Sequence, residues 1–398
     1  MFSTSKATLC AVACAALVGG AVVAQQRSAA PNPFPGGSNP DGSLRPTPPL
    51  TRLFTQDAYT EYAILEPGSE SFRIRFLPEE TRTGATELVN ATRGGSEGSG
   101  VEVYDPRTGK PMPFTYEIDP KDPESHAIHA KLPIPVPAGG IGRVLIYKTY
   151  KDSRTYTMHG EDIVWVRSLS GYRLGVLLPK GFAFLSSNVA AQLATTSDGR
   201  LKLAFANPSG QSNPVTIHAR RTTAAFTPST GADVFFDDVK TLYDLGAPES
   251  HRFAVDQSYS DFRKTKGVVT TLDSLAYLPL DGLQVTDLDT AKRLTPTKTG
   301  AATTVALDVP VVGDTQSAHL RLTGTVTDPA YTVEGGNLVF ARTLKGLRNT
   351  VLLPEGWEVS EVSQSATIGR AEGRVFVALI NLNAENHYHV RIRARRAS

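Results

Sequence analysis

The chain has 398 residues, with 41 basic and 39 acidic side chains and a formal net charge of +2. That balance excludes the long-range field that gathers nucleic acid or an anionic membrane surface. Charged residues make up 20%, while Gly and Pro number 34 and 27; this turn-rich composition is that of an all-β extracellular protein.

The amino terminus predicts export. Lys6 gives a positive start, Ala7 to Val23 are mostly apolar, and Val22-Val23-Ala24 ends the run with small residues. Residues 1–24 therefore read as a signal peptide cleaved near Ala24, placing the protein in the periplasm or outside the cell. Gly19 and Gly20 interrupt the run, which falls short of the roughly 20 strongly apolar residues of a spanning helix, so no transmembrane anchor is expected. Cys10 and Cys14 both lie in this leader, and "AVAC" lacks the leucine that lipid attachment calls for. With no cysteine in residues 25–398, disulfides, thiol nucleophiles and thiolate metal sites are removed together.

Residues 25–50 carry seven prolines in their last twenty positions, with Gly36, Gly37 and Gly42 between them. They cannot build a core and read as a disordered, semi-extended tether.

Beyond the tether the second half can be laid on the first. "YAILEPGSESFRI" (62–74) matches "YDLGAPESHRFAV" (243–255), and "VEVYDPRTGK" (101–110) matches "LQVTDLDTAK" (283–292). "WVRSLSGYRLGVLLPKGF" (165–182) falls on "FARTLKGLRNTVLLPEGW" (340–357), "DGRLKLAFAN" (198–207) on "EGRVFVALIN" (372–381), and "IHARR" (217–221) on "IRARR" (392–396). Five blocks in one order predict an internal duplication: copy 1 over 51–222, a linker over 223–232 and copy 2 over 233–396. A period this long means tandem domains rather than a solenoid.

Within each copy the pattern alternates with period two, as in "GRLKLAFAN", "RVLIYKTY", "SFRIRF" and "HYHVRIRAR", and Asp, Asn, Pro and Gly punctuate it. The predicted fold class is all-β: two tandem, internally duplicated β-sandwich domains of about seven to ten strands each. "FFDDVKTLYDL" (235–245) is the best helical candidate, but its counterpart "FTQDAYTEYAIL" reads equally well as a strand. In "VLLPKGF" and "VLLPEGW" the apolar triplet reads as a buried strand. Pro179 or Pro354 ends its pairing, Gly181 or Gly356 permits a tight turn, and Phe182 or Trp357 re-enters the core.

Pro248, His251, Phe253 and Val255, followed by Leu352, Pro354, Gly356 and Trp357, form an arrangement that resembles a known module. It is similar to the amino-terminal β-domain of M61-type glycyl aminopeptidases and, more loosely, of M1-type aminopeptidases. The resemblance implies the scaffold alone. Those families are zinc peptidases with His-Glu-x-x-His on a helical domain, and none of the eight histidines here begins that motif.

Candidate chemistry is sparse. "GGSEG" (94–98) satisfies Gly-x-Ser-x-Gly, but the strand-like "VEVYDP" follows where a nucleophile elbow needs a helix, so Ser96 and Glu97 read as a mobile, possible binding loop. Arg391, Arg393 and Arg395 recur at period two and offer planar donor forks to carboxylate, sulfate or phosphate groups. The competing reading is an exposed or edge strand made soluble by charge. His387 and His389 share one strand face, the best metal-pair geometry in the chain, but copy 1 has no equivalent; His126 and His129 are spaced for a helix turn. No cofactor and no metal are expected. The sequence therefore points to a secreted, non-catalytic tandem β-sandwich protein with an interaction or structural role at the cell envelope. Its expected partner is a protein or acidic glycan. The rival is a secreted hydrolase acting on cell-surface peptide or glycan at the inter-domain cleft.

Overall fold

The alternating segments of the sequence are strands. The computed structural model describes residues 58–91, 96–119, 122–169, 171–207, 212–229, 238–261, 269–271, 280–299, 302–381 and 387–397. The expected signal peptide and tether lie outside them.

Unit one begins with β1 (Ala58–Ile64), β2 (Ser71–Glu80), β3 (Glu87–Ala91), β4 (Glu97–Tyr104), β5 (Phe114–Asp119), β6 (Asp122–Lys131), β7 (Gly142–Arg143) and β8 (Leu145–Lys151). It continues with β9 (Tyr156–His159), β10 (Asp162–Leu169), β11 (Arg173–Leu177), β12 (Phe182–Ser187), β13 (Gln192–Thr195), β14 (Leu201–Ala206) and β15 (Asn213–Arg221). Unit two begins with β16 (Asp238–Leu245), β17 (Arg252–Asp261), β18 (Val269–Thr271), β19 (Asp281–Asp287), β20 (Lys292–Leu294), β21 (Pro296–Thr299), β22 (Ala302–Ala306) and β23 (Ala318–Thr327). It ends with β24 (Tyr331–Glu334), β25 (Asn337–Lys345), β26 (Arg348–Leu352), β27 (Trp357–Val362), β28 (Thr367–Ala371), β29 (Arg374–Ile380) and β30 (His387–Arg396). Among the described residues there is no α-helix, only a 3-10 turn at Pro248–Ser250, and the ambiguous segment near 240 is strand β16. Among the described residues each unit has fifteen strands, more than the seven to ten the sequence predicts; the additions are a further three-stranded sheet and short strands such as β7, β9 and β20.

Three sheets recur in each unit. The large sheet runs β13-β14-β11-β1-β2-β8-β4 in unit one and β28-β29-β26-β16-β17-β23-β19-β20 in unit two. A four-stranded sheet, β12-β15-β10-β9 or β27-β30-β25-β24, forms the second layer, and a three-stranded sheet, β3-β6-β5 or β18-β22-β21, covers the far end. In both large sheets the first strand pairs in parallel with the "VLL" strand, Tyr62 beside Val176 and Tyr243 beside Val351. The two layers enclose a main core, built around Trp165, Phe72 and Tyr62 in unit one and around Phe340, Phe253 and Tyr243 in unit two. A second, smaller core lies under each three-stranded sheet. The expected linker is described as far as Ser229. It lies along the edge strand β13, with the Ser229 amide donating to Thr195 O at 2.9 Å.

The turn after each "VLL" strand has the predicted form: Gly181 and Gly356 adopt φ of +77° and +76°, a left-handed conformation that glycine adopts without strain. Phe182 and Trp357 follow as buried core residues.

Candidate functional site

Strand β30 displays the arginines as the alternation predicts. Val390, Ile392 and Ala394 are buried, and Arg391, Arg393 and Arg395 face outward with His387 and His389. The strand is not an edge: it lies between β25 and β27, so protection against edge pairing is not its task. Acids stand beside it. Arg391 Nη2 donates to Glu334 Oε2 at 3.1 Å, Arg393 Nη1 lies 3.9 Å from Glu361, and Glu358 is opposite Arg395 in register. Glu358 itself accepts from Arg370. Exposed pairs of this kind each contribute about 0–1 kcal/mol; their larger effect is to offset the positive charge of the face.

The two histidine pairs separate. His387 and His389 share the exposed face, whereas on β6 the three-residue spacing sends His126 and His129 to opposite faces. His126 Nδ1 bonds the Tyr116 hydroxyl at 2.6 Å, and His129 lies 3.3 Å from Glu87 and 3.8 Å from Glu117. Among the described residues no group of three or more His, Cys, Asp or Glu is placed to hold a metal ion.

Ser96 is buried, and its hydroxyl donates to Asp152 Oδ2 at 3.0 Å. Asp152 also accepts from the Thr155 hydroxyl at 2.9 Å and the Arg154 amide at 3.0 Å, with Arg167 Nη1 at 3.7 Å. Burial pushes the Asp152 pKa up, but the hydrogen bonds from Thr155 and Ser96 outweigh it and hold the carboxyl below its ordinary range. Glu97 opens β4, so a strand follows the serine and the geometry of a nucleophile elbow is absent. Ser96 anchors the start of β4 to the turn after β8.

The most elaborate polar assembly is at the junction of the units, and it has near-twofold symmetry. Ser317 N donates to Pro106 O at 2.7 Å, and Ile141 N donates to Leu288 O at 2.8 Å. Pro106 and Leu288 are equivalent turn residues, each following an aspartate whose side chain caps its own turn. Asp105 accepts from the Arg107 amide at 2.9 Å, and Asp287 accepts from the Asp289 amide at 2.9 Å. Arg143 breaks the symmetry. Its Nε donates to Asp289 Oδ1 at 2.6 Å, its Nη1 to Ser317 Oγ at 2.8 Å and its Nη2 to Ser317 O at 3.1 Å. Its side chain is only 1% exposed. Burial opposes the charge on Arg143, yet Asp289 outweighs it and holds the guanidinium protonated above its ordinary range, while burial raises the Asp289 pKa. A guanidinium does not deprotonate, so Arg143 itself stays charged in this buried setting. His319, at the position in unit two that Arg143 holds in unit one, bonds Ser258 Oγ at 3.1 Å and lies 3.7 Å from Glu79 of unit one. A pocket of about 130 Å³ lies beside the junction, lined by Arg107, Ile134, Pro137, Asp289 and Thr290 among others.

A larger opening lies at one end of the first sandwich, about 390 Å³, with Leu169, Leu174, Phe205, Val215, Asn207 and Asn213 in its lining and Ile380 of unit two at its border. Neither Arg143 with Asp289 nor this opening is recognisable in the sequence. Arg143 sits in "GRVLIY" like any polar residue of an alternating strand, and Asp289 is more than a hundred residues away; the opening depends on how far apart the two layers lie, which the alternation does not show.

No protein-family model matches the chain. A comparison with curated proteins likewise returns no match.

Proposed function

We propose that the protein is exported and acts without catalysis, as a two-unit β-sandwich module that binds or braces a protein or acidic glycan at the cell envelope. The observation that carries this reading is the closed junction. A glycosidase working between the units needs two carboxyl groups about 5–9.5 Å apart across a solvent-filled gap. At the junction Asp105 and Asp287 cap their own turns and Asp289 holds Arg143. We also infer that the units descend from one duplicated domain, which the matching strand order of all three sheets supports. The likeness to aminopeptidase β-domains enters this reading as scaffold only.

The test uses the chain from Gln25 onward, screened on an array of acidic and neutral glycans and against proteins of a solubilised envelope fraction. Saturable capture of one partner, with no product released from peptide or glycan substrates, is the expected result; turnover of any of them would overturn the proposal. Export is checked separately by sequencing the amino terminus of protein recovered outside the cytoplasm, which should begin at Gln25.

A further inference from the structure

The two sandwiches end differently at the same place. In unit two, Tyr388 stands opposite Leu344 in the β25–β30 ladder and packs against the main core. Its hydroxyl accepts from Asn349 Nδ2 at 3.3 Å. Asn349 belongs to β26, in the other layer, so the phenol ring spans both sheets and closes that end of the sandwich.

In unit one the same ladder position, opposite Leu169, is held by Asn213, and the place of Asn349 is taken by Leu174. Asn213 is exposed and too short to reach the opposite layer. The space that a ring fills in unit two is the 390 Å³ opening in unit one.

We propose that this opening binds a small planar aromatic molecule bearing a phenol-type hydroxyl, held as unit two holds its own Tyr388. The walls suit such a ring: Leu169, Leu174, Phe205 and Val215, which line it, are apolar. The volume falls within the roughly 300–1,000 Å³ range of ligand pockets, and an apolar cavity of about 150 Å³ already takes up benzene. Orientation comes from the side-chain amide of Asn213, which offers the hydroxyl the same chemistry that Asn349 offers Tyr388; the Asn207 amide donates to Leu169 O at 3.5 Å and forms part of the wall. Ile380 of unit two borders the opening, so the site belongs to the assembled pair of units. The proposal stands apart from the envelope-module reading, and neither depends on the other.

The probe is p-cresol, the side-chain analogue of tyrosine, titrated into the full mature chain by calorimetry and ligand-observed NMR, with toluene as the comparison. The expected result is one p-cresol per chain, bound about three- to tenfold more tightly than toluene because the hydroxyl gains a hydrogen bond. Asn213→Tyr should abolish binding by supplying the missing ring, and Tyr388→Asn should raise the stoichiometry from one to two by opening the equivalent end of unit two. Absence of saturable p-cresol binding, or binding that survives Asn213→Tyr, would overturn the assignment. If Asn213→Tyr does not fold, a Tyr388→Asn chain that still binds only one p-cresol overturns it on its own.

Discussion

Arg167 and Arg342 recur at equivalent positions, each two residues beyond the large aromatic at the heart of its core. On a strand that spacing turns the arginine to the same inner face as Trp165 or Phe340. The Arg167 guanidinium lies 5.6 Å from the Tyr62 ring centre, 5.2 Å from that of Phe72 and 5.5 Å from that of Tyr150, with Asp152 at its tip; Arg342 lies 5.4 Å from the Phe253 ring centre and meets Asp328. Such a pair costs desolvation and is most costly when half is removed. Arg167→Met alone should therefore destabilise unit one by about 3–5 kcal/mol in urea titrations. Adding Asp152→Asn should recover a substantial part of that loss, because no unpaired buried charge is left. Lys148 is another internal cation, donating to Asn90 Oδ1 at 2.7 Å and lying 5.0 Å from the Tyr150 ring centre. Burial, aided by Arg167, pushes its pKa down to about 7. The unfolded chain then binds more protons than the folded one between pH 7 and the ordinary lysine range. Stability should accordingly rise with pH across that window, by up to about 1.4 kcal/mol per pH unit, and Lys148→Met should flatten the slope. The recurrence of the arginines was visible in the sequence. Their aspartates were not, since each sits in a turn whose position follows only from the folded register.

The strands of "VLLPKGF" and "VLLPEGW" meet the strands of "IHARR" and "IRARR". Phe182 pairs with Arg221 and Trp357 with Arg396, and the guanidiniums lie 5.1 and 4.6 Å from the ring centres. Two of the repeated blocks are thus the two sides of one contact. Trp357→Ala should cost about 3–5 kcal/mol through lost core packing, whereas Arg396→Ala should cost about 0.5–1 kcal/mol; thermal unfolding of the pair of variants separates the two terms. Gly346 supplies a sharper constraint, since it holds φ +85° and an added Cβ would lie 2.7 Å from Val239 Cβ. Gly346→Ala should lower the melting temperature by more than Trp357→Phe does, because both backbone strain and a clash with the neighbouring strand oppose it. On β30 the sequence announced the arginines but not the glutamates of β24 and β27 beside them. Removing those acids with Glu334→Gln and Glu361→Gln should strengthen salt-sensitive retention on heparin, read as a later elution position; unchanged elution would mean the ladder presents no usable positive face.

At the scale of the molecule, buried polar groups join the two units. A pseudo-twofold pair of backbone hydrogen bonds sets the register, and Arg143 with Asp289 and Ser317 fills the centre. The arrangement is isologous, the same turn surface of each unit meeting the other. Arg143→Ala should leave Asp289 buried without its cation and lower stability by about 3–5 kcal/mol. If the junction couples the units, the unfolding transition should also broaden or split, which calorimetry resolves. Arg143→Met with Asp289→Leu should restore a single sharp transition, since an apolar pair of similar volume carries no desolvation cost.

The sequence by itself determined the fold class, the strand-bearing segments, the correspondence of the five blocks and the turn glycines. Each of these depends on local alternation or on residues whose backbone preference is their own. Only the tertiary structure decided what the polar residues do. Ser96 became an anchor because β8 brings Asp152 to it, the arginine ladder acquired its glutamates from other strands of the same sheet, and Arg143 found Asp289 across a twofold junction. It also decided that one sandwich is closed by Tyr388 while its counterpart stands open at Asn213. Substituting one side chain for another at equivalent positions leaves the alternation intact, and its effect depends on the distance to the opposite sheet, which no run of neighbouring residues encodes.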